Sequence, residues 1–350
     1  MNPRGGGAAT ESRERPEIMS ETRCHVAAIG NAIVDIIGRC DEAFLARHGA
    51  AKGHMRLVDA ATVQALYADM GPGIEISGGS AANTVAGVAS FGGKAAFIGK
   101  VADDELGRIF GHDIRSAGVA FASQPVKNGA PTSRSLILVT PDGERTMNTF
   151  LGISTELGHG EVDPAVISNA DIVYLEGYLF DRPEAKAAFR QACAIARKSG
   201  RRVALTLSDS FCVDRHRAEF LELMRSGIDI LFANESEITS LYETQNFDDA
   251  ASRVAGDVPL AVLTRSAKGS LILEKGQRVA VPVDPVAKVV DTTGAGDLYA
   301  AGVLFGLATG RDLASCGRLG SLAAAEIISH IGARPEINLA TAARQRGLIS

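Results

Sequence analysis

A chain of 350 residues, 46% of them hydrophobic, is long and apolar enough to bury one large α/β core or two small ones, which excludes disorder as its main state. Its 36 basic and 41 acidic residues leave a net charge of −5, so there is no global attraction to nucleic acid or to an anionic membrane. No stretch reaches the roughly 18 apolar residues needed to cross a bilayer, since the most apolar N-terminal run, His25 to Gly38, is broken by Asn31 and Asp35, and a soluble protein is expected.

Residues 1–22 are rich in Gly, Arg, Glu and Pro and lack the apolar centre of a secretory signal; a flexible tail is expected, with Met19 as well as Met1 available as a start. Residues 23–345 read as a single domain. Apolar runs with strand character recur at His25–Gly30, Ala95–Val101, Ile172–Leu175, Val203–Leu207, Ile228–Ala233 and Leu260–Thr264, mostly separated by helical periodicity. That alternation predicts an α/β/α core of three layers around a mainly parallel sheet covered on both faces. After Gly78-Gly79, the residues Ala81, Val85, Val88 and Ala89 share one helical face, and Gly92-Gly93 ends the segment.

Two regions, about 39–60 and 119–150, interrupt the pattern and read as a small inserted β-rich lid, with Pro141-Asp142-Gly143 turning between Ser135–Thr140 and Arg145–Phe150. Near the C-terminus, a strand-like run, Ala287–Val290, precedes a helix beginning inside Gly294–Asp297, and a second helix runs from about Asp312 to Ile331. The five cysteines are odd in number, dispersed and without a CxxC pair, which reads as reduced thiols in a cytoplasm.

Chemistry concentrates in Asp291-Thr292-Thr293-Gly294-Ala295-Gly296-Asp297. Glycines let successive N–H groups point one way, and the helix start adds free N–H groups and partial positive charge, so the run is suited to an anion. Asp297 beside that anion is placed to take a proton from an attacking hydroxyl. On its own, a Gly-Ala-Gly turn with Asp297 as a helix cap fits equally.

The run resembles the second signature of the ribokinase-like (PfkB) carbohydrate kinases, and the likeness extends from about residue 24 to 340. Gly78-Gly79-Ser80-Ala81-Ala82-Asn83, with Gly92-Gly93 and Asp104-Glu105-Leu106-Gly107 beyond it, is similar to the first signature. The resemblance implies a ribokinase-like fold, ATP and Mg²⁺ as cofactors, Asp297 as general base and Gly294, Ala295 and Gly296 as the anion hole. It implies further that Asp35, Gly78, Gly79, Ser80 and Asn83 hold the acceptor, and that Asn234 and Glu237, in Asn234-Glu235-Ser236-Glu237, organise the water shell of Mg²⁺. Thr264, Arg265 and Gly269 resemble the strand end and turn beside the nucleotide, with Thr292 on the same side. Arg145 matches a lid arginine that reaches phosphate. A salt-bridged Asp35, first-turn helix charges at Glu235 and Glu237, and a solvent-facing Arg145 or Arg265 remain the plainer readings of the same residues.

The 42 residues between Asp35 and Gly78, the Gly30-Asn31 start of the Asp35 segment and the run Thr206–Phe211 resemble the adenosine kinase branch. The expected reaction is phosphorylation of adenosine at its 5′-hydroxyl, giving AMP and ADP in purine salvage. A ribokinase- or fructokinase-type sugar kinase is the alternative, and a non-enzymatic nucleotide or sugar sensor is a third reading. Expected partners are the small-molecule acceptor and ATP, with no nucleic acid and no membrane, and the long lid favours a monomer over a homodimer. No Walker loop and no G-x-G-x-x-G after the first strand are present, which excludes the P-loop and dinucleotide-fold routes.

Overall fold

The strand Cys24–Ile29 shows how the core is made. Val26 and Ala28 enter one apolar layer while Ala27 and Ile29 enter the other, as the two-residue period of a strand covered on both faces requires. Ile172 and Tyr174 against Val173 and Leu175 repeat the division in the neighbouring strand. The computed structural model describes residues 23–350; the expected tail and Met19 lie outside the described residues.

In chain order the strands are β1 (Cys24–Ile29), β2 (Ile33–Arg39), β3 (Met55–Leu57), β4 (Gly73–Gly78), β5 (Ala95–Ile98), β6 (Val119–Ala120), β7 (Ser133–Val139), β8 (Arg145–Phe150), β9 (Ala170–Glu176), β10 (Arg202–Thr206), β11 (Ile230–Asn234), β12 (Leu260–Thr264), β13 (Ser270–Glu274) and β14 (Gln277–Val281). Nine form the main sheet in the order β14-β13-β12-β11-β10-β9-β1-β5-β6, parallel from β6 to β12 and antiparallel at β13 and β14. The chain moves from β1 outward to β5 and β6, then returns on the other side of β1 through β9. Such a reversal leaves a crevice at the carboxyl ends of the strands, and Gly30, Glu176, Asn234 and Thr264 all stand there.

The other five strands form a second sheet in the order β3-β8-β7-β2-β4. It is wider than the expected lid, because β2 and β4 belong to it, while β6 belongs to the main sheet. Asp35 therefore lies on β2 of the lid and not at the end of the first strand. Residues 39–60 hold a helix, Glu42–Arg47, and lead into another, Ala60–Asp69. Their N-caps, Asp41 and Asp59, accept the N–H groups of Phe44 (2.7 Å) and Thr62 (2.8 Å). Phe44, Val63 and Leu66 cover Val34, Ile36, Leu136 and Leu138 on the outer face of this sheet.

Ala287–Val290 is not a strand. The Val290 N–H instead satisfies the Ile328 carbonyl at a helix C-terminus (2.8 Å), and Val289 and Val290 stay exposed. A further helix, Leu339–Gln345, follows the two that were expected near the C-terminus. All five cysteines are free, and no helix among the described residues is long and apolar enough to cross a membrane.

Helix Ser80–Ser90 packs on helix Ala295–Ala308, which packs on helix Leu313–Ile327. The contacts are nearly backbone to backbone. A Cβ on Gly87 would lie 2.6 Å from the Ala301 Cβ, and one on Gly302 would overlap the main chain of Leu319 and Gly320. Gly302→Ala is expected to lower stability by roughly 1–3 kcal/mol through overpacking, read as a fall in the urea midpoint at unchanged slope. An unchanged midpoint would show that the two helices separate at little cost.

Candidate active site

The turn into helix Ala295–Ala308 is set by Gly294, whose φ of 78° is the left-handed conformation that glycine adopts without strain. Ala333 packs against the same glycine, 2.9 Å from where a Cβ would stand, whereas a Cβ on Gly296 would meet nothing within 4 Å. The turn is thus supported from behind and open in front at Gly296, while the Ala295 N–H is held by the Thr292 carbonyl. Asp291 opens the run as a structural acid: its carboxylate accepts from the Thr293 N–H (3.0 Å), the Thr293 hydroxyl (2.8 Å) and the Gly332 N–H (3.2 Å), and pairs with Arg145. Arg145 also donates to the Thr293 hydroxyl (2.9 Å), yet its Nε and Nη2 are buried without a partner. A guanidinium with two idle donors beside an anion cradle is equipped to take phosphate oxygens.

Asp297, in the first turn of the helix, accepts from the Ser80 hydroxyl (2.6 Å) and the Asn83 amide (3.0 Å), both in the first turn of helix Ser80–Ser90. Burial pushes its carboxyl above the usual carboxylate range, while those two donors and the charge of Arg334 oppose the rise. The Asn83 carbonyl oxygen is buried and unpaired, an acceptor left for a hydroxyl.

Gly79 starts that second helix with φ 97°, pressed against the Asn31 carbonyl, and a Cβ on Gly78 would overlap the Asp35 carboxylate. Loss of solvent pushes Asp35 up to about 7; Arg334 and Arg145 oppose this and Asp297 adds to it. Glu176, at the carboxyl end of β9, ties the helix start to the sheet: it accepts from the Ala81 N–H (2.8 Å), the Asn31 N–H (3.2 Å) and the Asn31 amide (2.6 Å). Burial pushes it, too, up to about 7.

The lid turns its inner face to this group. Registered partners in a sheet share a face, so Asp35, Ser135 and Thr149 form a polar row, with Ile76 beside Asp35. Two residues along, Ile37, Ile137 and Met147 form an apolar row, and Arg145 lies beyond it opposite Val139. Arg145 reaching Asp291 fixes which way the face points.

The structure thus brings Asp35, Gly78, Gly79, Ser80, Asn83, Arg145, Gly294, Ala295, Gly296 and Asp297 around one place. The residues expected on the nucleotide side stand apart from these contacts. Asn234 and Glu237 form a reciprocal capping box, the Asn234 backbone N–H donating to the Glu237 carboxylate (3.0 Å) and the Glu237 N–H to the Asn234 side chain (2.9 Å), with the Asn234 side-chain amide donating to Glu237 as well (2.5 Å). Glu237 remains electrostatically in reach: burial pushes it up to about 7, with Asp209 and Asp297 adding to the rise. Arg265 pairs with Glu235 (3.1 Å) and stacks on Phe247, and Gly269 is held against the Val281 carbonyl with φ 81°. Thr264 ends β12, and the Thr292 carbonyl accepts from the Ala295 N–H (3.2 Å) while its side chain is exposed. No cluster of three or more His, Cys, Asp or Glu able to hold a metal is found among the described residues.

Three contributors were absent from the sequence reading. Glu176 is an acid closing the apolar run Ile172–Leu175 next to Gly177, a pattern that could have flagged it. Tyr178, partly exposed and with its hydroxyl donating to the Ser208 carbonyl (3.3 Å), is pushed well above the usual phenol range by burial and by the charges of Asp209, Asp297, Glu237 and Glu176. Arg334 gave no signal in sequence, because nothing around Gly332-Ala333-Arg334 marks it off from an ordinary loop.

Residues 75–339 match the pfkB family of carbohydrate kinases. A solved structure described as adenosine kinase from Sinorhizobium meliloti is 55% identical, covers 93% of this chain and 100% of its own, and superposes with a TM-score of 0.87. A probable sugar kinase from Rhizobium etli is 52% identical over 94% of this chain and 100% of its own, with a TM-score of 0.88. Among curated proteins, an uncharacterized sugar kinase of Archaeoglobus fulgidus is 30% identical over 71% of this chain and 96% of its own.

The buried Arg145–Asp291 pair yields a test that is independent of any substrate. Asp291→Asn removes the counter-charge and weakens the acceptor for Thr293 and Gly332, and a loss on the order of 3 kcal/mol is expected in denaturant unfolding. No loss would mean that the lid swings free of the core in solution.

Proposed function

The chain belongs to the pfkB family of carbohydrate kinases and is a phosphotransferase with an alcohol acceptor, and from that premise we propose that it phosphorylates adenosine at the 5′-hydroxyl. The observation that carries this reading is the apolar row Ile37, Ile137 and Met147 set beside the polar row of Asp35 on the inner face of the lid. A free sugar offers hydroxyls throughout and gains little from such a row. A nucleoside pairs a polar ribose with a flat, largely apolar base, and the two rows fit those two halves. The Sinorhizobium meliloti structure described as adenosine kinase supports the same acceptor, and the Rhizobium etli protein keeps a sugar in view.

In this reading Asp35 accepts hydrogen bonds from the ribose 2′- and 3′-hydroxyls, and the Asn83 carbonyl oxygen finds in a sugar hydroxyl the donor it lacks. Asp297 removes the 5′-hydroxyl proton, the 5′-oxygen bonds to the γ-phosphorus of ATP, and the bond from that phosphorus to the bridging oxygen breaks with release of ADP. The N–H groups of Gly294 and Gly296 and the idle donors of Arg145 neutralise the charge of the transferring group, and the Ala295 N–H, which donates to the Thr292 carbonyl, joins them only by leaving that partner. Mg²⁺, when bound with the triphosphate, shields its negative charge. Asn234 and Glu237, whose amide and carboxylate oxygens suit a hydrated Mg²⁺, would hold its water shell. Thr264, Arg265, Gly269 and Thr292 would border the nucleotide.

Two experiments test the reading. ADP release measured with adenosine, ribose, fructose and no acceptor should be fastest with adenosine, and Asp297→Asn should reduce that turnover by about 10²–10⁴-fold. Faster release with a sugar replaces the acceptor, and near-normal turnover of Asp297→Asn removes the base. The second concerns pH. Only ionised Asp35 accepts two hydroxyl donors, and its carboxyl titrates at about 7, so the KM for the acceptor should fall as pH rises through that value and climb below it. Glu176 and Glu237 are likewise pushed up to about 7, so the control is Asp35→Asn, in which the dependence of KM should vanish. Its persistence would pass the effect to another acid.

A further inference from the structure

Gly332-Ala333-Arg334 touches both glycine loops of the site within three residues. The Gly332 N–H donates to Asp291, Ala333 supports Gly294, and Arg334 reaches across to the acceptor loop. Its Nε donates to the Ser77 carbonyl (2.9 Å), one terminal nitrogen to the Ala82 carbonyl (2.6 Å) and the other to the Ser77 hydroxyl (2.9 Å). Ser77 and Ala82 bracket Gly78-Gly79-Ser80-Ala81, so a single planar fork grips both ends of the loop. Asp113 holds Ser77 as well, accepting its N–H (2.8 Å) and its hydroxyl (2.5 Å), the same hydroxyl that accepts from Arg334. Ser77 is therefore fixed by both a cation and an anion.

We propose that Arg334 is a positioning residue that locks the acceptor loop to the anion loop, so that Ser80 and Asn83 hold the Asp297 carboxylate in line for proton removal. The proposal rests on the reading of Asp297 as the base. Three bonds from a rigid guanidinium fix the loop in both translation and rotation, which an ammonium on a flexible stem does not reproduce. A carboxylate displaced by about 1 Å from its reacting proton loses on the order of 10²-fold in rate.

Charge supplies a second, separable contribution. Asp297 is faced by Asp35 from the lid, by Tyr174 and Glu176 from β9, by Tyr178 from the turn after it, by Glu237 from the helix start beyond β11, and by Arg334. Arg334 is the cation in that set that favours the ionised form of Asp297. It stays charged itself, because burial lowers it only to about 10 against the support of Asp113, Asp35 and Asp297.

The test compares Arg334→Gln and Arg334→Lys with the wild type in kcat against pH, with each variant's folded fraction measured by circular dichroism. Arg334→Gln should lose about 10²-fold in kcat, and its acid limb should move to higher pH, since removing a cation makes Asp297 harder to ionise. Arg334→Lys should return the limb to its wild-type position without returning the rate. If Arg334→Gln does not fold, Arg334→Lys decides alone: reduced kcat on an unmoved limb supports the proposal. A kcat within about twofold of wild type in folded Arg334→Lys, or lower yield with unchanged kcat and limb in Arg334→Gln, overturns it. The two readings fail separately. An active Asp297→Asn removes the base and this proposal with it, whereas an inactive Asp297→Asn beside a fully active Arg334→Gln removes this proposal only.

Discussion

Helix Ser80–Ser90 and helix Ala295–Ala308 lie against each other with their first turns together, and the carboxylate of Asp297 is hydrogen-bonded across that junction. Gly87 makes the approach possible, since Ala301 and Leu298 occupy the space that a side chain there would need. Each helix begins in a glycine turn with positive φ, at Gly79 and at Gly294, so two positive dipole ends flank one place. The proposed reading puts an anion on one side of Asp297 and a hydroxyl on the other.

Such a junction gathers acids that repel. Asp35, Glu176, Glu237 and Asp297 are all pushed upward by burial, and several raise one another. What makes the cluster tolerable is satisfaction of three of the acids by fixed donors, Ala81 and Asn31 for Glu176, Asn234 for Glu237, Ser80 and Asn83 for Asp297, while Asp35 is supported by the charges of Arg334 and Arg145. Asp291 differs, because Arg145 and three further donors consume its charge. Within one short motif, then, one aspartate builds the loop and the other faces the space in front of it.

The lid contributes through its register. A shift of one residue between β2, β7 and β8 would turn Asp35 and Arg145 to the outer face and bury them against Phe44 and Leu66, so the apolar outer face fixes the polar inner one. The Arg145–Asp291 pair then joins the lid to the anion loop, and the loop at Gly332–Arg334 joins that loop to the acceptor side. Geometry on either side of Asp297 is therefore shared across lid, core and C-terminal loop.

Sequence alone determined the layered α/β core, because period-2 runs separated by helical runs leave few other ways to bury both faces of a sheet. It also marked the glycines, since a turn with positive φ restricts residue type strongly, and the resemblance to the two family signatures singled out Asp297 and Asn83. It did not separate β2 from β1, since a three-residue break between two apolar runs carries no direction, and so Asp35 was assigned to the wrong sheet until pairing with Ile76 and Ser135 was seen. Nor did it find the caps Asp41 and Asp59 among other acids of the lid, or the cap formed by Asn234 and Glu237, whose spacing fits a helix start and a metal shell alike. Tertiary structure alone decided the rest. Glu176 and Arg334 act on loops 95 and more than 250 residues away, through burial and hydrogen bonds that no local pattern encodes.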